Sequence, residues 1–432
     1  MTHLDSYLEN DAENMRIRPA LRAIIRDARE ALGNLQRWER GFHLFWLLGP
    51  FILLIERTPA DIWLSLLALT FVIRSIVKRE GDWLKPFWVR AGFVFWIWCI
   101  IAGAISDHPA YSMGEAFIWF RFPLFAMATA FWLARDKRLL YAMLVSTALG
   151  LVAMCFILTA EIMIVGQQGG RLYWPYGDLV PGNYVAKVGL PAFTIMVALA
   201  VSVRGRVAAL SGAVSLMTIA ISVMTGERIN FLIRACSGML AGLVWKPKWG
   251  RYLALVAVEI LVVLAFIYLL PQATQSRFSE MLEDAQLSYD QDHFRVLMGG
   301  VEAYKTSPLV GIGPGNYRNM APEILASSTQ MRPDNHPHNY YIQLMAETGI
   351  IGLILGVVFL WAIIWTCFRA SFRNRDNVFV ATAWVIPFGI FWPIATSADF
   401  FGQWNNTFIW SAVALALSVQ GAVSARTINT VK

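Results

Sequence analysis

HPHNYYIQLMAETGIIGLILGVVFLWAIIWTC, residues 336–367, passes from a polar lead with two histidines into an apolar run longer than a bilayer needs. About 20 apolar residues cross roughly 30 Å of hydrocarbon, so the run 340–367 takes lipid as its solvent. Similar stretches recur along the chain at 43–56, 60–77, 87–105, 114–134, 139–165, 184–203, 207–224, 228–245, 251–270, 378–397 and 403–422. With 340–367 they make about twelve spans and an all-α polytopic membrane protein.

Composition agrees. Hydrophobic residues make up 57% of the 432 and charged residues 15%, against about 25% charged in an ordinary soluble domain. The 18 tryptophans suit anchoring at both headgroup layers as well as bundle core. A net charge of +7 would invite nucleic acid, but the basic residues lie between apolar spans, where they act as topology signals and argue for no nucleic-acid partner. Cys99, Cys155, Cys236 and Cys367 each fall in an apolar span with no disulfide or metal spacing, so they are expected to be inert core. The polar first forty residues lack the early apolar core of a cleavable signal, which leaves targeting to the first span.

Lysine and arginine mark the cytoplasmic loops. They collect before the first span (Arg16 to Arg40) and in alternate connections, at Lys78, Arg79 and Lys85, at Arg135, Lys137 and Arg138, at Arg204 and Arg206, at Lys246, Lys248 and Arg251, and at Arg369, Arg373 and Arg375. The opposite short loops hold only Arg57, Arg171 and Arg228. Both termini are therefore expected in the cytoplasm. Residues 1–42 form a basic amphipathic segment, with Leu21, Ile24, Ile25, Ala28, Leu32 and Leu35 at helical spacing on membrane lipid or in solvent. Spans one to nine occupy 43–270, a large outer loop 271–339, spans ten to twelve 340–422, and a cytoplasmic tail 423–432. Within the loop, 276–286 and 290–305 read as helices, the second with Phe294, Leu297, Val301 and Tyr304 as its apolar stripe. GIGPGNY, 311–317, reads as a tight turn; it lacks the preceding strand and following Gly-Lys-Ser/Thr of a phosphate loop.

His338 and Asn339 stand where the loop becomes a membrane helix. The helix dipole disfavours imidazolium there and favours a neutral His338 able to take a proton. Two other roles are open: a helix cap formed by this pair, and a metal site of His336 and His338 with Asp334 as a weak third ligand. Arg228 and Arg295 each lie beside an apolar helix and could hold a diphosphate, since arginine offers two-pronged bonding and never loses its charge. Arg121, Lys187 and Arg234 fall in the outer halves of their spans. Charges there are expensive and suggest a cationic pocket, with snorkelling or pairing to Glu161 or Glu227 as the bland alternative.

Together these residues resemble the O-antigen ligase family, within the group that includes O-antigen polymerases and bacterial O-oligosaccharyltransferases. His338-Asn339, nine residues, then Gly349-Ile350-Ile351-Gly352 matches the family's His-Asn-x9-Gly-x-x-Gly signature. Arg228 after the seventh span and Arg295 upstream of Pro-Leu-Val-Gly-Ile-Gly extend the resemblance, strongest over 225–356. It implies a type-C glycosyltransferase-like bundle with a helical periplasmic loop between spans nine and ten, in a bacterial inner membrane. The implied reaction is transfer of a glycan from undecaprenyl diphosphate to lipid A-core oligosaccharide, inverting and without nucleotide or metal. His338 would be catalytic and Arg228 and Arg295 would contact the donor, with Asn339, Arg121, Lys187, Arg234 and His336 as further substrate contacts. A polymerase or protein-glycosylating acceptor is the near alternative. A twelve-span transporter fits poorly, because only a few residues link spans six and seven.

Overall fold

The computed structural model describes residues 17–177, 181–269, 291–393 and 398–419. Among them the regular elements are all helical. In chain order they are α1 (Ile17–Gly33), α2 (Arg37–Leu47), α3 (Gly49–Ile52), α4 (Arg57–Val77), α5 (Phe87–Ala104), α6 (Pro109–Trp119), α7 (Arg121–Ala128), α8 (Lys137–Ile164) and α9 (Leu190–Ser202). There follow α10 (Gly205–Met224), α11 (Arg228–Val244), α12 (Trp249–Leu269), α13 (Asp292–Thr306), α14 (Tyr317–Ile324), α15 (Tyr340–Arg373), α16 (Val378–Thr382), α17 (Val385–Ile390) and α18 (Gln403–Leu417).

Among the described residues, six helical segments are long and apolar enough to cross a membrane: Arg57–Val77, Phe87–Ala104, Pro109–Leu133, Lys137–Ile164, Gly205–Met224 and Tyr340–Arg373. Their outward faces carry exposed Ile73, Ile76, Phe117, Phe156, Met163 and Trp361, an apolar surface that suits lipid. Inward, Phe95, Trp119, Phe359, Phe400 and Trp410 form one buried aromatic cluster.

Several expectations need correction. The basic segment ends at Gly33, and a new helix starts at Arg37. The buried stripe of α1 is Ala20, Asp27, Ala28 and Ala31, while Leu21 and Ile25 stay exposed. The stretch 43–56 is split between α2 and α3 because Pro50 has no N–H and its ring blocks continuation; Trp63 Nε1 donates to the Phe45 carbonyl beside the break at 3.0 Å. The eleventh stretch divides into α16 and α17, with Pro387 unable to donate to residue 383. Cys236 is exposed, whereas Cys99, Cys155 and Cys367 are buried. The expected helix 276–286 lies outside the described residues. Helix α13 is present, but its buried face is Val296, Gly299, Gly300 and Ala303 rather than the larger stripe. Small residues win that face because Gly300 lies against Pro337 and Ile342 and Gly299 against Tyr317, approaches that a side chain would prevent.

The element that positions the site is α15, which breaks at Gly349 (φ 67°, ψ −174°). The break leaves backbone groups unpaired inside the bundle, and residues 308–317 take them up. Ile312 N donates to Ala346 O at 3.0 Å, Gly313 N to Glu347 O at 2.8 Å, and Ile350 N to Pro308 O at 2.9 Å. Trp98 Nε1 from α5 donates to Thr348 O at 2.9 Å. The buried Glu347 carboxylate accepts Gly315 N and Tyr317 N, both at 3.0 Å, and Gln343 Nε2 at 3.2 Å. GIGPGNY is thus a turn built onto the break, with left-handed Gly311, Gly313 and Gly315.

Gly349→Ala should therefore destabilise the protein by about 1–3 kcal/mol, because φ is left-handed and the new Cβ meets the Leu309 carbonyl. Gly41→Ala, where a Cβ meets nothing within 4 Å in an ordinary helix, should be neutral or slightly stabilising. Thermal unfolding of both variants in one detergent checks this; equal midpoints would mean the break is not strained against alanine.

Candidate functional site

Asn339 opens α15. Its Oδ1 accepts Tyr341 N at 3.0 Å and Ile342 N at 3.2 Å, while its Nδ2 donates to Pro393 O at 2.8 Å. Asn339 is therefore the cap, and His338 is not. With the cap supplied by its neighbour and its own backbone left-handed (φ 57°), His338 turns its imidazole to a cavity instead.

That cavity, about 260 Å³, is lined by Arg171, Lys187, Glu227, Arg228, His293, His336 and His338, with Asn183, Asn230, Tyr340 and Asn405 among its polar neighbours. Two arginines and a lysine face one carboxylate. Arg228, first residue of α11, has Nη2 3.4 Å from Nε2 of His293 on α13. Guanidinium can only donate, so this contact requires His293 Nε2 as acceptor. Arg171 Nε lies 3.5 Å from Glu227 Oε1.

Lys187 reaches the floor through a local defect in the helix. Residues Tyr184–Val188 form a wide turn in which Gly189 N donates to Tyr184 O at 3.0 Å, five residues back. Lys187 Nζ is buried and donates to Asn183 Oδ1 at 2.5 Å, an oxygen that also accepts Asn230 Nδ2 at 3.2 Å. The hydrogen-bond partner of Lys187 Nζ is thus a neutral amide rather than a carboxylate.

The remaining sequence candidates lie elsewhere. Arg234 is fully buried outside the lining, donates to Val185 O through Nη1, and stacks 4.0 Å from the Phe193 ring; its Nε and Nη2 have no hydrogen-bond partner among the described residues. Arg121 bonds Asp61, Ser65 and Gln403 at 3.1, 2.9 and 2.8 Å, a half-buried pairing with Asp61 in place of the expected Glu161 or Glu227. Glu161 instead accepts Tyr173 N and Trp174 N. Arg295 does not line the cavity; its Nε donates to Gln330 O at 2.9 Å, and Nη1 lies 3.5 Å from Asp292. His293, Arg171, Asn183 and Asn230 were not singled out from sequence, since nothing in their local pattern separates them from loop or core residues.

His338 Nε2 stands 3.4 Å from Asp334 Oδ2, and the His336 ring lies 4.3 Å from the His338 ring. Burial, and then His336, pulls the His338 pKa below the ordinary imidazole range, against the opposing pull of Asp334. For Asp334, burial acts upward but is outweighed by the Asn335 N–H and the two imidazoles, so its carboxyl titrates below the ordinary range. No group of three His, Cys, Asp or Glu side chains among the described residues is arranged to hold a metal ion.

An all-helical, multi-pass membrane protein with a cation-lined cavity that also holds an imidazole is the class these features define. Residues 213–357, from α10 through the break in α15, match the O-antigen ligase family model. The likeness to the O-antigen ligase domain is thus carried by this stretch of the chain. A chain from a solved structure on the coordination of polymerization and crosslinking by a peptidoglycan synthase complex aligns over 77% of this chain and 96% of its own length, at 15% identity and a TM-score of 0.46. No curated protein matches the chain in sequence.

Asp334→Asn should lower the His338 midpoint further, because the group favouring imidazolium is removed, whereas His336→Ala should raise it. Histidine-selective NMR titration in nanodiscs reads both. A midpoint that Asp334→Asn leaves unchanged or raises would show the two side chains uncoupled.

Proposed function

We propose that this protein is an O-antigen ligase: an inverting, metal-independent glycosyltransferase that moves a glycan from undecaprenyl diphosphate to a terminal sugar of lipid A-core oligosaccharide. In this reading about twelve spans form a type-C-like bundle in the inner membrane, both termini are cytoplasmic, and the cavity opens to the periplasm. The observation that carries it is the convergence of Lys187, Arg171 and Arg228 with His338 in one cavity, Arg228 and His338 both within the matched segment.

In the proposed transfer the acceptor hydroxyl attacks the anomeric carbon from the face opposite the diphosphate. The carbon–oxygen bond to phosphate breaks, and its electron pair leaves on the diphosphate. Lys187, Arg171 and Arg228 stabilise that charge in a partly dehydrated site, which serves the purpose a divalent ion would otherwise serve. His338 takes the hydroxyl proton. Its carboxylate neighbour favours the tautomer protonated on Nε2, which leaves Nδ1 as the acceptor, and Asp334 then stabilises the imidazolium formed. His293 holds Arg228 in place. The placement of Arg295 supports a role in holding the 328–332 segment of the loop, with donor contact requiring it to leave Gln330.

Three measurements test the reading. With purified protein and defined donor and acceptor, His338→Asn should lower kcat by about 10²- to 10⁴-fold while donor binding persists. Arg228→Ala should raise the donor KM by about ten-fold or more, with lysine recovering only part. A strong chelator should change nothing. Substantial turnover by His338→Asn at matched expression would sink the general-base assignment, and transfer only to a second lipid-linked glycan or to a protein hydroxyl would move the protein to the polymerase or protein-glycosylating branch. Orientation is tested in a Cys236→Ser background: a cysteine at exposed Ser327 should react with an impermeant thiol reagent added from outside, and one at exposed Asp376 should not. Reversed labelling would overturn the periplasmic assignment.

A further inference from the structure

We infer that Gln168, Tyr173 and Trp174 form a sugar-binding shelf beside the cavity that holds a ring of the acceptor glycan, an inference that rests on the glycan-transfer reading. These residues, with Gly169 and Gly177, line an open concavity of about 540 Å³. Tyr173 is half-buried and Trp174 exposed, so both offer aromatic surface, and the exposed Gln168 adds an amide. Among the described residues, nothing lies within 4 Å of a Cβ built at Gly169 or Gly177, so they leave the floor open. Aromatic faces take the C–H face of a pyranose while an amide bonds its hydroxyls, a combination that suits an uncharged sugar.

The shelf is held rigidly and adjoins the reaction cavity. The buried Glu161 carboxylate accepts Tyr173 N at 2.8 Å and Trp174 N at 2.9 Å, which fixes the backbone under both rings. Tyr176 OH donates to Leu53 O at 2.6 Å, and Gln167 Nε2 to Met224 O at 2.6 Å. Gln168 and Arg171 exchange backbone bonds across left-handed Gly169 and Gly170, a tight turn whose Gly170 carbonyl abuts Gly226. The next residue after that turn, Arg171, already lines the cavity and pairs with Glu227. Shelf and cavity are therefore joined by one short stretch of chain, residues 168–174. The donor has a diphosphate for the cations to hold, whereas an uncharged acceptor sugar has no such handle; stacking supplies one. A simple headgroup-anchoring role for the two aromatics would need neither the buried carboxylate beneath them nor the exposed amide beside them.

The test uses full-length protein in nanodiscs of fixed lipid composition. Trp174→Ala should raise the acceptor KM about ten-fold, the loss of one good ring contact, with kcat and donor KM unchanged; Trp174→Phe should recover most of it. Saturation-transfer NMR with the delipidated acceptor oligosaccharide reads the shelf without turnover, and wild type should saturate sugar protons that Trp174→Ala does not. Saturation without any transfer by wild type would sink the transfer reading and leave the shelf standing. Absent saturation in wild type, equal saturation in both proteins, or a change in donor KM instead of acceptor KM would overturn the shelf.

Discussion

The break in α15 at Gly349 is the constraint on which the site depends. In a bundle facing lipid, an interrupted helix must find partners for every freed backbone group, because no water is there to supply them. The 308–317 segment supplies those partners by laying its own backbone into the gap, and the Glu347 carboxylate binds two further N–H groups of the same segment. The polar loop is thereby tied to the membrane helix at its first turns rather than tethered only by the chain. Gln343 extends the tie: its Nε2 donates to Asp399 at 2.6 Å and its Oε1 accepts Phe400 N at 2.8 Å, so Asp399 and Phe400, just before α18, are fixed to the same helix. His338 stands two residues ahead of that helix, next to its cap Asn339, and its position follows from how firmly the helix head is held.

The second constraint is electrostatic. A buried lysine beside a neutral amide is costly unless something offsets its desolvation, and a buried ion pair would offset it at the expense of ligand affinity. Here Asn183 gives Lys187 geometry without neutralising it, and Arg171 shares its carboxylate at a distance that leaves the pair loose. The cavity keeps an excess of positive charge facing open space. Arg121, by contrast, is closed off by Asp61, Ser65 and Gln403, and that difference separates a structural cation from one free to meet an anion.

Much of the helical layout was legible because lipid imposes one rule, an unbroken apolar run, that a sequence displays directly. The breaks at Pro50 and Pro387 were legible in principle from proline alone, yet hydropathy averages over them. The stripe of α13 was misread because periodicity rewards large apolar side chains, whereas the tightest packing against Pro337 and Ile342 needs glycine. At the site, His338, His336, Arg228 and Lys187 meet as their charge and placement suggested. Arg121 and Arg295 show why charge alone is insufficient: partners such as Asp61 and Gln330 lie 60 and 35 residues away, beyond any local pattern. Asn339 could be told from His338 as the cap, since asparagine is the favoured residue at that position.

His293 joins these two constraints. Arg228 and Lys187 belong to elements embedded in the bundle, α11 and the wide turn before α9, while the imidazoles sit on the loop and the head of α15. Helix α13 reaches across, placing His293 against Arg228 on one side and 5.7 Å ring to ring from His338 on the other. Gly300 makes this reach possible by letting α13 lie directly on Pro337. A protonated His293 could no longer accept from Arg228 and would face it as a second cation, so the arginine's orientation is tied to the charge state of a loop residue. In the proposed transfer, the group that holds the leaving diphosphate and the group that takes the acceptor proton are thus joined through one neutral imidazole, and the loop acts as part of the active site rather than as its cover.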